Sequence, residues 1–187
     1  MDSAAAVRDR ALDAAEELFY RRGVQSVGMD AVRAASGLSL KRLYQLFPSK
    51  EGLVEAYLDR RDADWRGRLA GYVEGRGEGD PRERILAVYD WLGGWFAEDG
   101  FRGCAWINAY GELGATSAGV AERVRAHKEE FRRYLAGLVA DAGQPAALVW
   151  PLFLLAEGAM VTAGIEGTTE PAARARDAAR SLLADTP

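Results

Sequence analysis

The segment from residue 28 to residue 51 constrains the fold more than any other part of the chain. It contains two short helical runs separated by Gly37, and glycine adopts the left-handed backbone of a sharp turn without steric cost. Ser39 follows the turn and is a favourable N-cap for a second helix, from Leu40 to Leu46. Pro48 then separates this helix from a further helix start. The pattern predicts a helix-turn-helix, a motif whose second helix enters the major groove of DNA.

The distribution of charge agrees with a nucleic-acid-binding segment, although the whole chain is acidic. The formal net charge is −4 at pH 7. Residues 21–50 contain six Lys or Arg and one acid, Asp30, so this segment carries +5 and the remainder carries −9. A basic region on an acidic protein is typical of a DNA-reading head joined to an acidic body.

Helical spacing of apolar residues continues through nearly the whole chain, and alternating strand patterns are missing. Capping residues and glycines set the limits of the helices. The run EGRGEG at 74–79 is the strongest break and the best domain boundary from composition. We predict nine helices, at about residues 4–22, 29–36, 40–46, 50–72, 81–97, 103–114, 118–141, 145–164 and 169–184. The predicted fold class is all-α, with an N-terminal three-helix helix-turn-helix head and a larger C-terminal helical domain.

Composition argues against several classes of protein. No uncharged apolar run approaches the length of about 18 residues that a membrane span needs, and the N-terminus lacks the apolar core of a signal peptide. A single cysteine excludes an internal disulfide and fits a reducing cytoplasm. One histidine and one cysteine supply no metal-ligand cluster and little for nucleophilic or acid–base chemistry. We therefore expect a cytoplasmic protein that is not an enzyme and has no metal or cofactor.

Two blocks of sequence are specific enough to indicate a family. They are RDRALDAAEELFYRRG at 8–23 and AASGLSLKRLYQLFPSKEGL at 34–53, the second with its turn glycine, capping serine, Leu43-Tyr44, Phe47 and Ser49-Lys50-Glu51. Together they resemble the TetR/AcrR family of one-component transcriptional regulators. The resemblance implies an all-helical homodimer with a DNA-binding domain at 1–52 and a ligand-binding and dimerisation domain at 53–187. Helix 4, at about 50–72, would connect the two.

The second helix of the motif supplies most of the candidate DNA contacts. Lys41 and Arg42 are candidates for the O6 and N7 atoms of guanine, with non-specific attraction to phosphate as the alternative. Gln45 is a candidate for adenine or for a phosphate. Tyr44 and Lys50 resemble family residues that contact the DNA backbone, and a core position is the alternative for Tyr44. The predicted DNA-binding residues are Ser39, Leu40, Lys41, Arg42, Tyr44, Gln45 and Lys50.

The C-terminal domain is rich in aromatic residues, eleven of which lie between Tyr89 and Phe153. Trp and Tyr suit a pocket with a few polar anchors, and an aromatic core is the alternative. Cys104, Asn108 and Glu112 share one face of helix 6, in a pattern that many family members resemble. We expect Asn108 inside the pocket and Glu112 paired with a cationic ligand or with an arginine of a neighbouring helix. The predicted ligand-binding residues are Tyr89, Trp91, Trp95, Trp106, Asn108, Glu112, Phe131, Tyr134 and Trp150.

Helices 8 and 9 are predicted to form the dimer interface. Leucines follow one side of helix 8, and small residues such as Gly158 and Ala163 allow close approach of a second helix. Two such helices from each protomer would form a twofold four-helix bundle. The two heads would then meet successive major grooves, about 34–36 Å apart. The predicted interface residues are Leu148, Leu152, Leu155, Ala159, Ala175, Ala179 and Leu182.

Cys104 and His127 are the only residues of their types. Cys104 is either a small buried hydrophobe or a sensor of oxidants and electrophiles. His127 lies on a helix rich in Arg, Lys and Glu, and we expect it to face solvent.

The expected function is a DNA-binding transcriptional regulator, with repression as the common mode of the family. A small aromatic or apolar effector in the C-terminal pocket would release the protein from a palindromic operator. The expected partners are double-stranded operator DNA, the effector and a second copy of the chain, with no membrane. Two alternatives are a thiol-based sensor that uses Cys104 and a ligand-binding protein without specific operator recognition.

Overall fold

A computed structural model describes residues 3–76 and 80–184 of the chain. Within these ranges it contains nine α-helices, one short 3-10 turn and no strand, so the all-α prediction is confirmed. The helices are α1 Ala4–Arg22, α2 Met29–Ser36, α3 Leu40–Leu46, α4 Lys50–Glu74, α5 Pro81–Phe96, α6 Ala105–Leu113, α7 Ala118–Asp141, α8 Val149–Glu166 and α9 Glu170–Ala184.

Most helix ends lie where the capping residues predict them. Asp80 accepts a hydrogen bond from the Arg82 N–H at 2.9 Å, and Pro81 takes the first position of α5. The largest difference is at the start of α8, which was predicted to open at Pro145. A 3-10 turn, Ala146–Leu148, intervenes there and delays the α-helix to Val149.

The described chain divides into two compact units. The first contains the residues up to Asp62 together with Ala105–Ala126, and the second contains Ala63–Cys104 and the residues from His127 onward. Helices α4 and α7 each contribute residues to both units. The predicted boundary between the DNA-binding and ligand-binding domains, at residue 52, differs from the limits of the two compact units. It concerns the division of function along the chain and stays a prediction. Part of the glycine-rich break, residues 77–79, lies outside the described residues.

The first unit has an apolar core beneath the predicted helix-turn-helix. Phe19 of α1 and Tyr57 of α4 meet edge to face, with ring centroids 5.8 Å apart. Leu43 of α3 and Leu53 of α4 are fully buried in the same unit. Helices α1, α3 and α4 each turn an apolar face toward this core, as the three- and four-residue spacing of their apolar residues predicts.

An ion-pair network fixes α1 against α4 in the first unit. The Arg60 guanidinium contacts Asp13 and Glu16, both at 2.7 Å, and Arg61 contacts Glu16 at 2.6 Å. Burial lowers the pKa of Arg60, but the two carboxylates outweigh it and raise that pKa overall. Asp13 is exposed, whereas Arg60, Arg61 and Glu16 are partly buried, and a network of this kind stabilises more than an isolated surface pair.

The second unit is organised around Trp65. The Trp65 ring makes edge contacts with Trp91 and Phe131 at centroid distances of 5.1 Å and 5.2 Å. His127 joins the same cluster at 5.1 Å and is only 2% exposed, so its predicted solvent position is wrong. The reason is helical phase: His127 precedes the fully buried Phe131 and Leu135 by four and eight residues. The charged residues around it occupy other faces of α7.

Helices α8 and α9 pack against α5 in the second unit. The buried Tyr89 hydroxyl of α5 donates to the Leu152 carbonyl of α8 at 2.8 Å. Four of the residues predicted at the dimer interface are buried within the chain, which corrects that prediction. They are Leu152, Ala159, Ala175 and Ala179. Their small or compact side chains allow the close packing of helices inside one protomer.

Candidate functional site

The turn between α2 and α3 has the geometry that the sequence predicts. Gly37 is left-handed, with φ 67° and ψ 13°, and its N–H donates to the Arg33 carbonyl at 3.1 Å to end α2. The Ser39 hydroxyl accepts the Arg42 N–H at 3.2 Å and caps α3. Phe47 is buried beyond the end of α3 and lies 4.4 Å beneath the Arg8 guanidinium. These contacts hold α3 in one orientation on the first unit.

Helix α3 exposes a polar face. Lys41, Tyr44 and Gln45 are exposed, and their spacing places them on one side of the helix. Tyr44 is 45% exposed, so the interpretation of this residue as a core aromatic is wrong. Arg42 is half-buried and donates to the Gln45 side-chain oxygen at 3.3 Å. Leu40 is half-buried at the start of the same helix.

Lys50 is the first residue of α4 and is half-buried. Its ammonium donates to the Gln25 carbonyl at 3.5 Å, while the Ser49 hydroxyl caps α4 by accepting the Gly52 N–H at 3.0 Å. A helix N-terminus with an adjacent lysine attracts phosphate, because the N–H groups and the helix dipole add to the side-chain charge. The placement of Lys50 is compatible with the predicted contact to the DNA backbone.

Glu112 of α6 makes a contact in the first unit that the sequence did not reveal. Its carboxylate accepts the backbone N–H of Gln25 at 2.7 Å, and its carbonyl accepts the Gln25 side-chain amide at 2.5 Å. The partner of Glu112 inside the chain is therefore a loop glutamine and not the expected arginine of a neighbouring helix. No pattern marks Gln25, which is one polar residue in a loop.

The predicted ligand-binding residues are divided between the two compact units. On α6 of the first unit, Trp106 is 1% exposed, whereas Asn108 is exposed, which contradicts its predicted place inside a pocket. The buried face of α6 consists of Ala105, Trp106 and Ala109, so the side chain at 108 points away from it.

In the second unit, three more of these residues are core and one is at the surface. Trp91 and Trp95 stack at 5.7 Å within the Trp65 cluster, and Tyr89 is fully buried. Trp150 is 53% exposed on α8, with the Arg132 guanidinium 4.4 Å from its ring. The alternative of an aromatic core therefore describes Tyr89, Trp91 and Trp95 best.

A cavity of about 700 Å³ lies in the second unit, between the C-terminal parts of α4 and α7. Phe131 and Tyr134, both predicted as ligand-binding, line it, together with Trp65 and Leu69 of α4 and Arg84 of α5. Trp65 was not among the predicted residues, because it lies before the aromatic-rich segment that begins at Tyr89. The volume suits a small organic molecule.

Tyr134 gives this cavity a polar anchor. Its hydroxyl is buried and makes no hydrogen bond to any residue in the described ranges 3–76 and 80–184. Burial raises the pKa of Tyr134 to about 12, an effect that Glu74 reinforces and Arg84 opposes. The hydroxyl is therefore neutral at physiological pH and able to donate to a bound molecule. At the rim, Arg84 pairs with Asp141 at 3.3 Å.

Cys104 is buried beside a charged pair in the second unit. The Lys128 ammonium lies 3.4 Å from the Cys104 sulfur and 2.7 Å from a Glu157 carboxylate oxygen. Burial lowers the pKa of Lys128, but Cys104 and Glu157 outweigh it, so the pKa is raised overall. Lys128 therefore stays charged against the sulfur.

Helix α8 has a second apolar face, which points to solvent. Trp150, Leu154, Val161 and Ile165 are 53%, 59%, 40% and 80% exposed. Because both faces are apolar, the segment Ala146–Glu166 has the length and composition to cross a membrane, with a mean hydropathy of 1.7. The segment contains Glu157 and Glu166, so it is not an uncharged apolar run. The buried face of α8 serves the core of the second unit, as in soluble helical proteins.

Comparisons with known proteins agree with this architecture. The family model "Bacterial regulatory proteins, tetR family" matches residues 11–57. The transcriptional repressor NemR of Escherichia coli (strain K12) is 26% identical over 95% of this chain and 94% of its own length.

Solved structures extend the likeness to nearly the whole chain. SCO4454, a TetR-family transcriptional regulator from Streptomyces coelicolor, superposes with a TM-score of 0.88 at 28% identity, over 98% of this chain and 91% of its own. The reduced form of E. coli NemR has the same fold, with a TM-score of 0.84 at 24% identity, over 94% of this chain and 96% of its own. These matches support the assignment of the chain as a TetR-family transcriptional regulator with the all-α fold of that family.

Proposed function

We propose that the protein is a homodimeric transcriptional repressor that binds a palindromic operator through α3 and leaves it when a small effector binds. The exposed face of α3 carries this proposal, because Lys41, Tyr44 and Gln45 stand clear of the core on a rigid turn. A short helix held in this way fits the major groove. The name of NemR as a transcriptional repressor supports the direction of control. Such a protein acts in the cytoplasm, with no catalytic role.

The DNA contacts divide into positioning and reading. Lys50 and the Tyr44 hydroxyl would bind backbone phosphates, which fix the register of the head. Lys41 and Arg42 would read guanine, and Gln45 would read adenine or hold a phosphate. The hydrogen bond from Arg42 to Gln45 uses one of five guanidinium N–H groups, so donors remain for a base. Ser39 and Leu40 lie at the N-terminal end of α3, which would enter the major groove of DNA first.

Arg42→Ala and Lys50→Ala should weaken DNA binding in different ways. A duplex selected by the wild-type protein from a randomised library serves as operator, and affinity is measured over a salt series. Arg42→Ala should cost about 1–3 kcal/mol and relax preference at one base pair. Lys50→Ala should weaken all sequences alike and reduce the salt slope by about 0.9 for each lost phosphate contact.

Arg125→Ala is the matched control, because Arg125 is exposed on α7 in the same unit and its loss removes the same charge. An equal loss on every sequence would assign Arg42 to phosphate instead of base contact. Failure of the wild-type protein to select any duplex would favour a ligand-binding protein without operator recognition.

The exposed face of α8 is the surface we propose for dimerisation. Leu154 and Ile165 are well exposed, and Leu155 and Leu182 extend the apolar surface toward α9, so a second copy would cover side chains that one protomer leaves in water. Leu148 is half-buried in the 3-10 turn and directly precedes α8 in the sequence. A twofold dimer is also what a palindromic operator requires.

Leu154→Asp and Ile165→Asp should convert the dimer to a monomer, because each places a charge in an apolar interface. Analytical ultracentrifugation measures the change, and binding to the selected palindrome should fall with it. Tyr110→Asp is the control, since Tyr110 is 48% exposed on α6, outside the proposed interface. A dimer that persists in both α8 variants would place the interface elsewhere.

The cavity between α4 and α7 is the site we propose for the effector. Trp65 and Phe131 would contact an aromatic or apolar body, and the Tyr134 hydroxyl would donate to one polar atom. The effector shifts the protein toward a state with lower DNA affinity, by no more than its difference in affinity between the two states. Helix α4 carries residues of the cavity and, at its first residue, Lys50.

Gly137→Leu should block this cavity. Gly137 lines the cavity on α7, and a Cβ added there meets no atom within 4 Å, so the larger side chain occupies empty space and favours the helix. Anilinonaphthalene sulfonate, a fluorescent aromatic anion, is the probe, and the variant should lose its saturable binding. Gly111→Leu is the control, because Gly111 has the same open surroundings on α6. Equal binding by both variants would rule out this cavity as the dye site.

A thiol sensor is the second candidate function, and the contact between Lys128 and Cys104 favours it. A neighbouring cation is typical of the sites of reactive cysteines. With a maleimide as electrophile, the sulfur adds to the carbon–carbon double bond, the thiol proton is released to water, and water protonates the adjacent carbon. The burial of Cys104, at 2% exposure, supports the opposite reading as a packing residue.

Lys128→Gln should slow the reaction of Cys104 with N-ethylmaleimide several-fold, because glutamine keeps a donor and removes the charge. Mass spectrometry follows the rate, and the alkylated wild-type protein should release the selected duplex. Cys104→Ser is the control, which should keep its duplex in the presence of the reagent. Equal rates with and without Lys128, or full DNA affinity after alkylation, would leave Cys104 a packing residue.

A further inference from the structure

We propose that Glu112 is a positioning residue for DNA binding. From the end of α6 it holds the loop between α1 and α2, residues 23–28, and through this loop it holds the ammonium of Lys50. The inference rests on the proposed role of Lys50 as a phosphate contact. All three residues, Glu112, Gln25 and Lys50, belong to the first compact unit.

Glu112 binds the loop at two points. The carboxylate accepts the Gln25 backbone N–H at 2.7 Å, a charge-assisted hydrogen bond of the stronger kind. The Gln25 side-chain amide donates to the Glu112 carbonyl at 2.5 Å. Because α6 ends at Leu113, this carbonyl is one of the last-turn acceptors that have no partner within the helix. Gln25 thus caps α6 while Glu112 fixes the loop.

The loop is shaped to receive this carboxylate. Gly23 ends α1 with φ 84°, and a Cβ at this position would lie 3.1 Å and 3.2 Å from the two carboxylate oxygens of Glu112. A side chain there would be strained by its backbone and crowded by Glu112. Val24 and Val27 are buried in the core, which leaves Gln25 between them on the outer side of the loop.

Gln25 passes this restraint on to Lys50. Its N–H is held by Glu112, and its carbonyl on the same residue accepts the Lys50 ammonium at 3.5 Å. A lysine side chain has many rotamers, and a fixed acceptor reduces the entropy that is lost when the ammonium binds phosphate. Without Glu112 the loop keeps its valine anchors, but the Gln25 carbonyl and the lysine lose their fixed direction.

The test compares Glu112→Ala, Lys50→Ala and the double variant with the full-length wild-type protein. The probe is the duplex that the wild-type protein selects from a randomised library, and affinity is measured between about 50 mM and 200 mM salt. Glu112→Ala should reduce affinity by about tenfold and lower the salt slope as Lys50→Ala does, by about 0.9 per protomer. The double variant should show no further loss, because both changes remove one contact.

Glu112→Gln provides the conservative rescue, because its side-chain oxygen still accepts the Gln25 N–H. It should keep the full salt slope and most of the affinity. Glu122→Ala is the control for loss of a carboxylate, since Glu122 is exposed on α7 in the same unit. Circular dichroism checks the fold of each variant. If Glu112→Ala is poorly folded, Gln25→Ala replaces it in the test. This variant removes one of the two hydrogen bonds and should give an intermediate loss of DNA affinity.

The possible outcomes distinguish failure of the positioning role of Glu112 from failure of the proposed DNA-binding function. An unchanged salt slope in Glu112→Ala, or additive losses in the double variant, overturns the positioning role while DNA binding stands. A silent Lys50→Ala together with a defective Arg42→Ala overturns it as well, because no phosphate contact at Lys50 remains to be positioned. A wild-type protein that selects no duplex instead refutes the proposed DNA-binding function.

Discussion

The apolar stripe of α4 is the constraint on which the rest of the structure depends. Leu53 and Tyr57 are buried in the first unit, and Trp65 and Leu69 are buried in the second, along one uninterrupted helix. Within each unit the four-residue spacing places the pair of buried residues on one side of the helix. In the first unit this stripe packs against Phe19 of α1, and in the second it forms a wall of the cavity.

Local sequence chemistry was sufficient to predict the elements of the fold and the turn of the DNA-binding head. Gly37, Ser39 and Asp80 act through their own backbone and side-chain geometry, so their effects can be inferred without knowledge of distant neighbours. The role of Tyr44 was harder to predict, because the exposure of its side chain decides between a core aromatic and a residue available to DNA. The sequence left both interpretations open. The 45% exposure of Tyr44 excludes the core position, and its contact with DNA stays a prediction.

Residues whose roles depend on tertiary partners could not be assigned from the sequence. The predictions for His127 and Asn108 were based on their neighbours in the sequence. Helical phase instead buries His127 and exposes Asn108. Apolar residues occupy both the buried and the exposed face of α8, and composition does not show which of them, such as Leu152 or Leu154, faces the core. The link between Gln25 and Glu112 joins residues far apart in sequence and has no local signal.

The Trp65 cluster also makes the protein its own optical reporter. Four of the five tryptophans, Trp65, Trp91, Trp95 and Trp150, belong to the second unit, and none lies in α1, α2 or α3. Three of their indole rings lie within 6 Å of one another, and Trp65 also forms a wall of the cavity. The intrinsic emission of the protein therefore originates largely beside the cavity. A change in its colour or intensity reports on the second unit without any attached dye, while α1, α2 and α3 contribute no tryptophan emission.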